Sequence, residues 1–508
     1  MKLLIKFGKN FTLLPLFFQV FALACSLMFV VAVYGFVTES FREARIFLYS
    51  GLAGFFVFAL LNLAISNRIL KETGLIQIIS LILLFLLLPL FLALPAWIIS
   101  PSIKFLDAYV DMVGAFTTTG LPVFEQDILT NSIHLWRSLI AWYGGGLILI
   151  AAYVILIPAN SGGFDVFSNK KFNSNLSRKP TLDERSLTLT RITRRLIPAY
   201  IGLTFILWCL LSSLGADGYT SLLRAFSILS TSGISGAEKF KLDGTGFYGE
   251  LVVAIFLLLA FSHNFFYSFN KKKSSKTVLL DQEVRLGLLT VFCVTIVLSL
   301  KEINLIKLLF SSDESLIVGL KLIWGNFFTA LSFITTTGHV SFFWEETLSL
   351  ADVPHIAIIL LGLCLFGGGL ATTAGGIKLL RISILFSAFS NETGKLLNPS
   401  SIPVVKVKLK SLTMSVFMAW IFFMLFIVSL ALVTIILAMF GLFFEEAIVI
   451  AVACLTTTGP IIAVLGLDAS LISDLSLFPK IVLVISMVLG RLEILVALSV
   501  IISALKRA

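Results

Sequence analysis

The chain has 508 residues, 58% of them hydrophobic and 13% charged, with a mean hydropathy of +1.03. So few charges cannot cover a soluble multidomain enzyme, and 47 phenylalanines among long leucine- and isoleucine-rich runs fit helices that satisfy their own backbone in lipid better than a weakly patterned outer-membrane barrel. The formal charge of +10 is gathered between apolar runs, which speaks against a nucleic-acid partner and for the positive-inside pattern of an all-α polytopic membrane protein.

The N-terminus carries Lys2, Lys6 and Lys9 before an apolar run, and Phe21 to Cys25 faintly resembles a lipidation box. That run continues to Phe36, well past a signal-peptide core of about 7–15 residues, so a retained first helix is expected. Ten apolar spans follow along the chain, near 11–36, 46–66, 76–99, 133–158, 196–216, 247–269, 286–303, 355–378, 411–442 and 479–505. Most reach the roughly 20 residues that cross a bilayer core; the seventh is short. Basic clusters lie at Lys170, Lys171, Arg178, Lys179, Arg191, Arg194 and Arg195, at Lys271 to Lys273, and at Lys406, Lys408 and Lys410. Placing them inside puts both termini in the cytoplasm, a parity that ten crossings satisfy. The five cysteines stand singly in apolar stretches, which fits core or lipid-facing residues and neither disulfides nor metal ligands.

Four shorter apolar pieces, near 108–118, 219–231, 318–335 and 445–457, lie on outward-facing connections and run into nearly the same four residues. These endings are Thr117-Thr118-Thr119-Gly120, Ser230-Thr231-Ser232-Gly233, Thr335-Thr336-Thr337-Gly338 and Thr456-Thr457-Thr458-Gly459, with glycines 113, 105 and 121 residues apart. A single such tetrapeptide means only a helix-ending turn with a glycine cap. Four copies at a near-constant interval predict four pseudo-repeats of long helix, re-entrant half-helix, filter turn and long helix. Non-helical backbone at membrane depth is tolerated only where buried in protein or lining a water-filled cavity, so the four turns are expected to surround one pore. Each half-helix would direct its negative C-terminal end at a cation, the β-branched residues would hold the following backbone extended, and glycine would let carbonyls face the axis in place of an ion's hydration shell.

A fifth look-alike, Ala371 to Gly376, lies inside the eighth span and is not a filter copy. With Gly367, Gly368, Gly369, Gly375 and Gly376 crowded into that span, the helix should break. A broken segment just inside a pore is a candidate gate; close helix packing through small residues is the other reading.

The four half-helix and TTTG units, Trp142 to Gly146, the segment Phe366 to Lys378 and Gly490-Arg491-Leu492-Glu493 together resemble the Trk/Ktr/HKT superfamily of potassium transporters over nearly the whole chain. The helix pair at 11–66, ahead of the first repeat, resembles most the bacterial TrkH-type membrane subunit. The boundaries expected on that basis are 1–70 for the two-helix extension and 71–160, 161–275, 276–400 and 401–508 for the four pore repeats. The resemblance implies a homodimer with one pore per subunit, inward potassium transport across the bacterial cytoplasmic (inner) membrane, and a cytosolic ring of TrkA-like nucleotide-binding regulatory subunits. It also implies that glycine at all four filter positions favours potassium over sodium, with Ser230 and Ser232 a mild departure.

An arginine inside a span costs about 2.5–3.5 kcal/mol on insertion scales, which makes Arg491 a functional candidate; an interhelical salt bridge or a snorkelling side chain is the alternative. By resemblance it projects into the pore beside the glycine-rich gate. Glu493, two residues on, faces elsewhere and is not its intrahelical partner. The outer connections hold Asp107, Asp111, Glu125, Asp127, Asp217, Glu345, Glu346, Asp352, Glu445, Glu446 and Asp468, which as a group would focus cations. Taken singly they read as ordinary loop solvation. His339 is placed to titrate in the mouth, His263 and His355 read as packed or interfacial, and His134 as a loop-edge residue.

The chain has no GxxxxGK[ST] loop, no HExxH and no serine-histidine-aspartate spacing, so no enzyme is expected. The expected substrate is the potassium ion, with no covalently bound cofactor and no nucleic-acid partner. Passive gated conduction is the favoured reading, and a potassium symporter with sodium or protons stays open beside it. The basic stretches 159–194, 270–285 and 390–410 suit either a docking partner or simple membrane anchoring.

Overall fold

Apolar runs in lipid can satisfy their backbone groups locally only as helix, and the computed structural model of the chain is helical but for one pair of two-residue strands. It describes residues 16–65, 74–153, 182–234, 236, 246–261, 282–301, 313–344, 353–370, 372–397 and 409–493. The helices are α1 (Leu16–Val37), α2 (Phe41–Ile65), α3 (Gly74–Leu92), α4 (Leu94–Ile99), α5 (Phe105–Phe116), α6 (Asn131–Ala151), α7 (Leu182–Ser213) and α8 (Gly218–Ser230). They continue with α9 (Gly246–Leu257), α10 (Gln282–Lys301), α11 (Asp313–Ile334), α12 (Val353–Leu365), α13 (Leu379–Leu397), α14 (Leu409–Met439), α15 (Phe444–Thr456) and α16 (Leu477–Leu492).

Local chemistry sets several boundaries. The third span is divided at Ala93, where Pro89 and Pro95 each remove an amide donor. Asp217 caps α8 by accepting the Tyr219 amide at 3.1 Å, and Glu446 caps α15 by accepting the Phe443 amide at 3.1 Å. Two of the supposed mouth acids are thus helix caps. The third short piece is longer than its apolar stretch suggests, since Asp313 to Gly319 extends α11 at its N-terminal end.

Among the described residues six helices are long and apolar enough to cross a membrane: Phe17–Val37, Phe41–Ala64, Ile76–Ile99, Asn131–Ala151, Arg191–Ser213 and Val416–Met439. Helices α9, α10, α12 and α16 occupy the other four expected spans. The eighth ends early, because α12 stops at Leu365 where the glycines begin.

Packing arranges these helices around a centre. Helices that end in a repeated turn alternate with the helices that follow them in the order α5, α6, α8, α9, α11, α12, α15, α16, each packed on the next, and α16 packs back on α5 to close the circle. Outside it, α3, α7, α10 and α14 pack on α5, α8, α11 and α15 respectively. The pair α1 and α2 pack on each other, and α1 also touches α3 and α6. Tyr49, Phe56 and Leu63 leave α2 apolar on its outer side, as a lipid-facing helix requires.

The five cysteines are free; Cys209 and Cys293 are exposed and Cys25, Cys364 and Cys454 are buried. The basic residues Lys170, Lys171, Arg178, Lys179, Lys271 to Lys273, Lys406 and Lys408 lie outside the described residues, as do Lys2, Lys6, Lys9, Glu345, Glu346, Asp352 and His263.

Candidate functional site

Helices α5, α8, α11 and α15 end in the four repeated turns, and each turn is built alike. The third residue's amide donates five residues back: Thr119 to Gly114, Ser232 to Ser227, Thr337 to Ser332 and Thr458 to Ala453, at 2.8–3.0 Å. In the first three, the second residue also donates to the carbonyl three back, Thr118 to Ala115, Thr231 to Ile228 and Thr336 to Phe333. This is the Schellman ending of a helix, which needs a left-handed residue, ordinarily glycine. Here that residue is threonine throughout, at φ 57° for Thr118, 53° for Thr231, 59° for Thr336 and 56° for Thr457. The expectation of extended backbone after the threonines is therefore corrected. The turns are helix caps, but with a β-branched residue where glycine would be relaxed.

The first and third residues form a second repeated device. Thr117, Ser230, Thr335 and Thr456 each donate a hydroxyl to the carbonyl four residues back, at 2.7–2.9 Å. Each also shares a hydrogen bond with the third residue's hydroxyl: Thr117 with Thr119 at 2.8 Å, Ser230 with Ser232 at 3.0 Å, Thr335 with Thr337 and Thr456 with Thr458 at 3.2 Å. A serine does this as well as a threonine, which accounts for Ser230 and Ser232.

The glycines bring the turns together. A β-carbon at Gly120 would overlap the Ser232 carbonyl, one at Gly233 the Thr337 carbonyl, one at Gly338 would come within 2.8 Å of Pro460, and one at Gly459 would overlap the Gly120 carbonyl. Each turn thus abuts the next, and the fourth abuts the first, where the Gly459 amide donates to the Thr119 carbonyl at 2.6 Å. Gly120, Gly233 and Gly338 also have positive φ, whereas Gly459, held by the following Pro460, does not. Behind the ring, Gly144 and Gly490 let α6 and α16 approach so closely that a β-carbon would overlap the carbonyls of Phe116 and Leu455 at the ends of α5 and α15.

The glycine-rich segment lies against the inner ends of these turns. Phe366-Gly367 pairs in parallel with Ile377-Lys378, pinching off a loop. Side chains at Gly367, Gly368 and Gly369 would meet the carbonyls of Gly375, Ala260 and Phe261, and one at Gly375 would meet the Thr456 carbonyl and Thr457 hydroxyl. Gly376 has φ 68°. Across to the turns, the Gly375 amide donates to Thr336 Oγ1 at 3.0 Å and the Thr373 hydroxyl to the Leu229 carbonyl at 3.4 Å. The hydroxyls of Thr118 and Thr457 are buried without a hydrogen-bond partner among the described residues.

Arg491, buried in the last turn of α16, donates from Nη1 to the Thr373 carbonyl at 2.5 Å. Its interhelical salt bridge does not form among the described residues. Glu493 instead pairs with Arg381 of α13 at 2.5 Å, and that guanidinium lies 3.8 Å from the centre of the Phe422 ring. A cavity of about 30 Å³ beside the loop is lined by Thr372, Lys378, Phe422, Leu455, Arg491 and Glu493. It admits on the order of one or two waters.

Several charged residues here were not singled out from the sequence. Glu283 accepts the Leu370 amide at 3.1 Å, Lys378 donates to the Ala374 carbonyl, and Arg381 was hidden in a helix beyond the apolar spans. Glu250 stands near the start of the sixth span, and a lone acid within an apolar run was a signal available in the sequence. The mouth residues also differ from expectation. Asp107 pairs with Lys480 and Asp111 with Arg137 at 2.7 Å, all four buried. His339 is buried with Nε2 3.1 Å from the Ser227 hydroxyl, and His134 is fully buried in α6, not at a loop edge. Glu125, Asp127, Glu445 and Asp468 are exposed.

A family model described as TrkH, cation transport protein, matches residues 242–506. The chain is 26% identical over 412 residues to the Trk system potassium uptake protein TrkH of Escherichia coli (strain K12), with 78% of each covered. It is 29% identical over 401 residues to the Trk system potassium uptake protein TrkG of the same strain, with 77% of each covered. Its fold is similar to that in the crystal structure of the potassium transporter TrkH from Vibrio parahaemolyticus, with a TM-score of 0.77, 21% identity, and 96% of this chain and 98% of that one covered.

Proposed function

The chain belongs to the TrkH family of cation transport proteins, and from that premise we propose that it carries potassium into the bacterial cytoplasm through a gated, channel-like pore. The observation that carries the reading is the closed ring of four like turns, each glycine seated against the next turn, with one loop lying across their inner ends. Four helices bring their negative C-terminal ends to that ring, which favours a cation over an anion. Backbone carbonyls of residues 117–120, 230–233, 335–338 and 456–459 replace the hydration shell of potassium, and a side chain at any of the four glycines would push the neighbouring turn out of place.

The loop at 366–378 is the gate in this reading, with Gly367, Gly368, Gly369, Gly375 and Gly376 as its flexible and close-packed points. Arg491 holds it shut through the Thr373 carbonyl and sets a fixed positive charge in the cation path. A homodimer with one pore per subunit, cytoplasmic termini, the repeat boundaries at about 71, 161, 276 and 401, and control by a cytosolic nucleotide-binding ring complete the proposal. The basic stretches at 159–194, 270–285 and 390–410 are where such a ring would dock.

A symporter is the competing reading, because Glu250, Glu283 and Glu493 are buried carboxylates of the kind that bind a coupled ion. Each already accepts a donor, from Trp324, Leu370 and Arg381 respectively, which favours the channel-like reading. Purified protein in liposomes decides between them. Rubidium or potassium uptake that persists without a sodium or proton gradient is expected; uptake that vanishes without the second gradient would establish coupling, and no uptake under any condition would remove both readings.

A further inference from the structure

We infer that Glu250 is a selectivity-positioning residue: from the second repeat it holds the outer lip of the third turn, and thereby the carbonyl geometry of that wall. The inference rests on the filter reading above.

Glu250 lies in the second turn of α9 and is fully buried. Its Oε2 accepts the Trp324 indole N–H at 2.8 Å, both carboxylate oxygens lie 2.9 Å from the Ser341 hydroxyl, and Oε1 accepts the Phe342 amide. Trp324 belongs to α11, the helix that leads into the third turn. Ser341 and Phe342 follow Gly338 by three and four residues. One carboxylate thus grips the wall before and after its filter residues, from the neighbouring repeat. No ion pair among the described residues includes it. A buried acid compensated by aimed donors with no cation is costly to replace and geometrically exacting.

The first and fourth walls leave their filter turns through a proline, and the second and third do not. After Gly120 comes Pro122, and after Gly459 comes Pro460, which leads straight into the short helix Ile461–Val464. Each proline fixes one backbone dihedral of the chain leaving the filter. The third wall leaves through His339-Val340-Ser341-Phe342-Phe343-Trp344, which has no proline. Its exit is held by hydrogen bonds: the Ser341 amide to Thr329 Oγ1 at 3.4 Å, the Phe343 amide to Ser341 Oγ at 3.2 Å, His339 to Ser227, and the Glu250 set. Of these, the Ser341–Thr329 contact and the Glu250 group both join α11 to the exit chain, and the Glu250 group does so from the neighbouring repeat through three donors.

Glu250→Gln keeps the volume but turns one acceptor that faces two donors into a donor, so at least one contact, to the Trp324 indole or the Phe342 amide, is lost. In liposomes, the sodium-to-potassium permeability ratio should rise about tenfold, the effect of one misplaced charge-assisted hydrogen bond on a competing pair of ions. Trp324→Phe removes one donor and leaves the carboxylate and exit chain in place; a smaller rise is expected. The ratio is independent of how much protein reaches the membrane, so a merely structural role would not move it. Gly338→Ser is measured alongside. If Gly338→Ser changes the ratio and Glu250→Gln does not, Glu250 has no part in selectivity and the filter stands. If neither changes it, the filter reading itself has failed. Where Glu250→Gln does not accumulate, Trp324→Phe and Ser341→Ala decide, and an unaltered ratio in both overturns the inference.

Discussion

Threonine in a left-handed conformation crowds its β-carbon against the following carbonyl, at about 1–2 kcal/mol per residue. Thr118, Thr231, Thr336 and Thr457 all adopt it, a combined strain on the order of 4–8 kcal/mol against a typical net stability of about 5–15. Strain that recurs at four equivalent positions points to a use for the side chain. At Thr336 the use is visible, since its hydroxyl receives the Gly375 amide of the loop. Thr118→Gly should therefore unfold at a higher temperature than Thr118→Ala, by about 1 kcal/mol in detergent, because only glycine relieves the backbone. The opposite order would mean that the left-handed turn is not strained. The flanking hydroxyls carry a different expectation. Thr335→Ser should keep both the Leu331 and Thr337 contacts, as Ser230 does in its own turn, and should transport rubidium like the parent. Thr335→Val, which keeps the shape and loses the hydroxyl, should cost about 1 kcal/mol of stability and discriminate sodium less well.

The loop is held by contacts from several elements, of which Arg491 makes one. Arg491 reaches it through one carbonyl, while its Nε and Nη2 are buried without partners among the described residues. A buried guanidinium held so sparsely is released at little cost in contacts, and in the proposed pore removing it also removes a positive charge from the cation's path. Arg491→Ala should therefore raise potassium flux several-fold in liposomes with the sodium ratio unchanged; a flux equal to or below the parent's would exclude a gating role. The loop also shows what could be read in advance. Its glycines announced a broken helix, and the four short helices were legible because their apolar stretches are short and end in the same polar tetrapeptide. Its anchor Glu283 was not legible, for a physical reason: it acts on Leu370 from an element distant in sequence, and a charge next to an apolar span reads as a membrane-edge residue until a partner is seen. Glu493 stood out inside the last span, but its partner Arg381 did not, for the same reason. The hydroxyl pairing was hidden in plain view, since alternation of hydroxyls in TTT and STS means nothing until the backbone curls and brings the first and third residues together. Left-handed threonine ran against propensity, and propensity gives way where tertiary contacts fix the turn.

A ring of helices drawn from one chain must be closed between its first and last members, and here α16 is brought against α5 across most of the sequence. Two acids one helical turn apart on α5 do the clamping: Asp107 binds Lys480 of α16, and Asp111 binds Arg137 of α6. All four side chains are buried, so each pair offsets the desolvation of two charges, and loss of one partner leaves the other uncompensated at about 3–5 kcal/mol. Lys480→Met is doubly unfavourable, because it also leaves Asp107 bare beside Asp111, a like charge at the spacing where helical neighbours repel. Asp107→Asn in the same chain removes both problems. The expected result is a non-additive cycle: Lys480→Met alone lowers the unfolding temperature sharply, and adding Asp107→Asn restores most of the loss, with a coupling of about 1–3 kcal/mol. Unfolding of the four proteins in detergent, followed by a bound-dye or fluorescence signal, measures it. Because α16 ends in Arg491, slackening this joint should also raise basal flux in Lys480→Met and return it toward the parent in the double variant. If the two substitutions simply add in stability, the clamp does not hold the ring, and closure rests on the apolar packing of α16 on α5 and on the contact of Gly459 with Gly120.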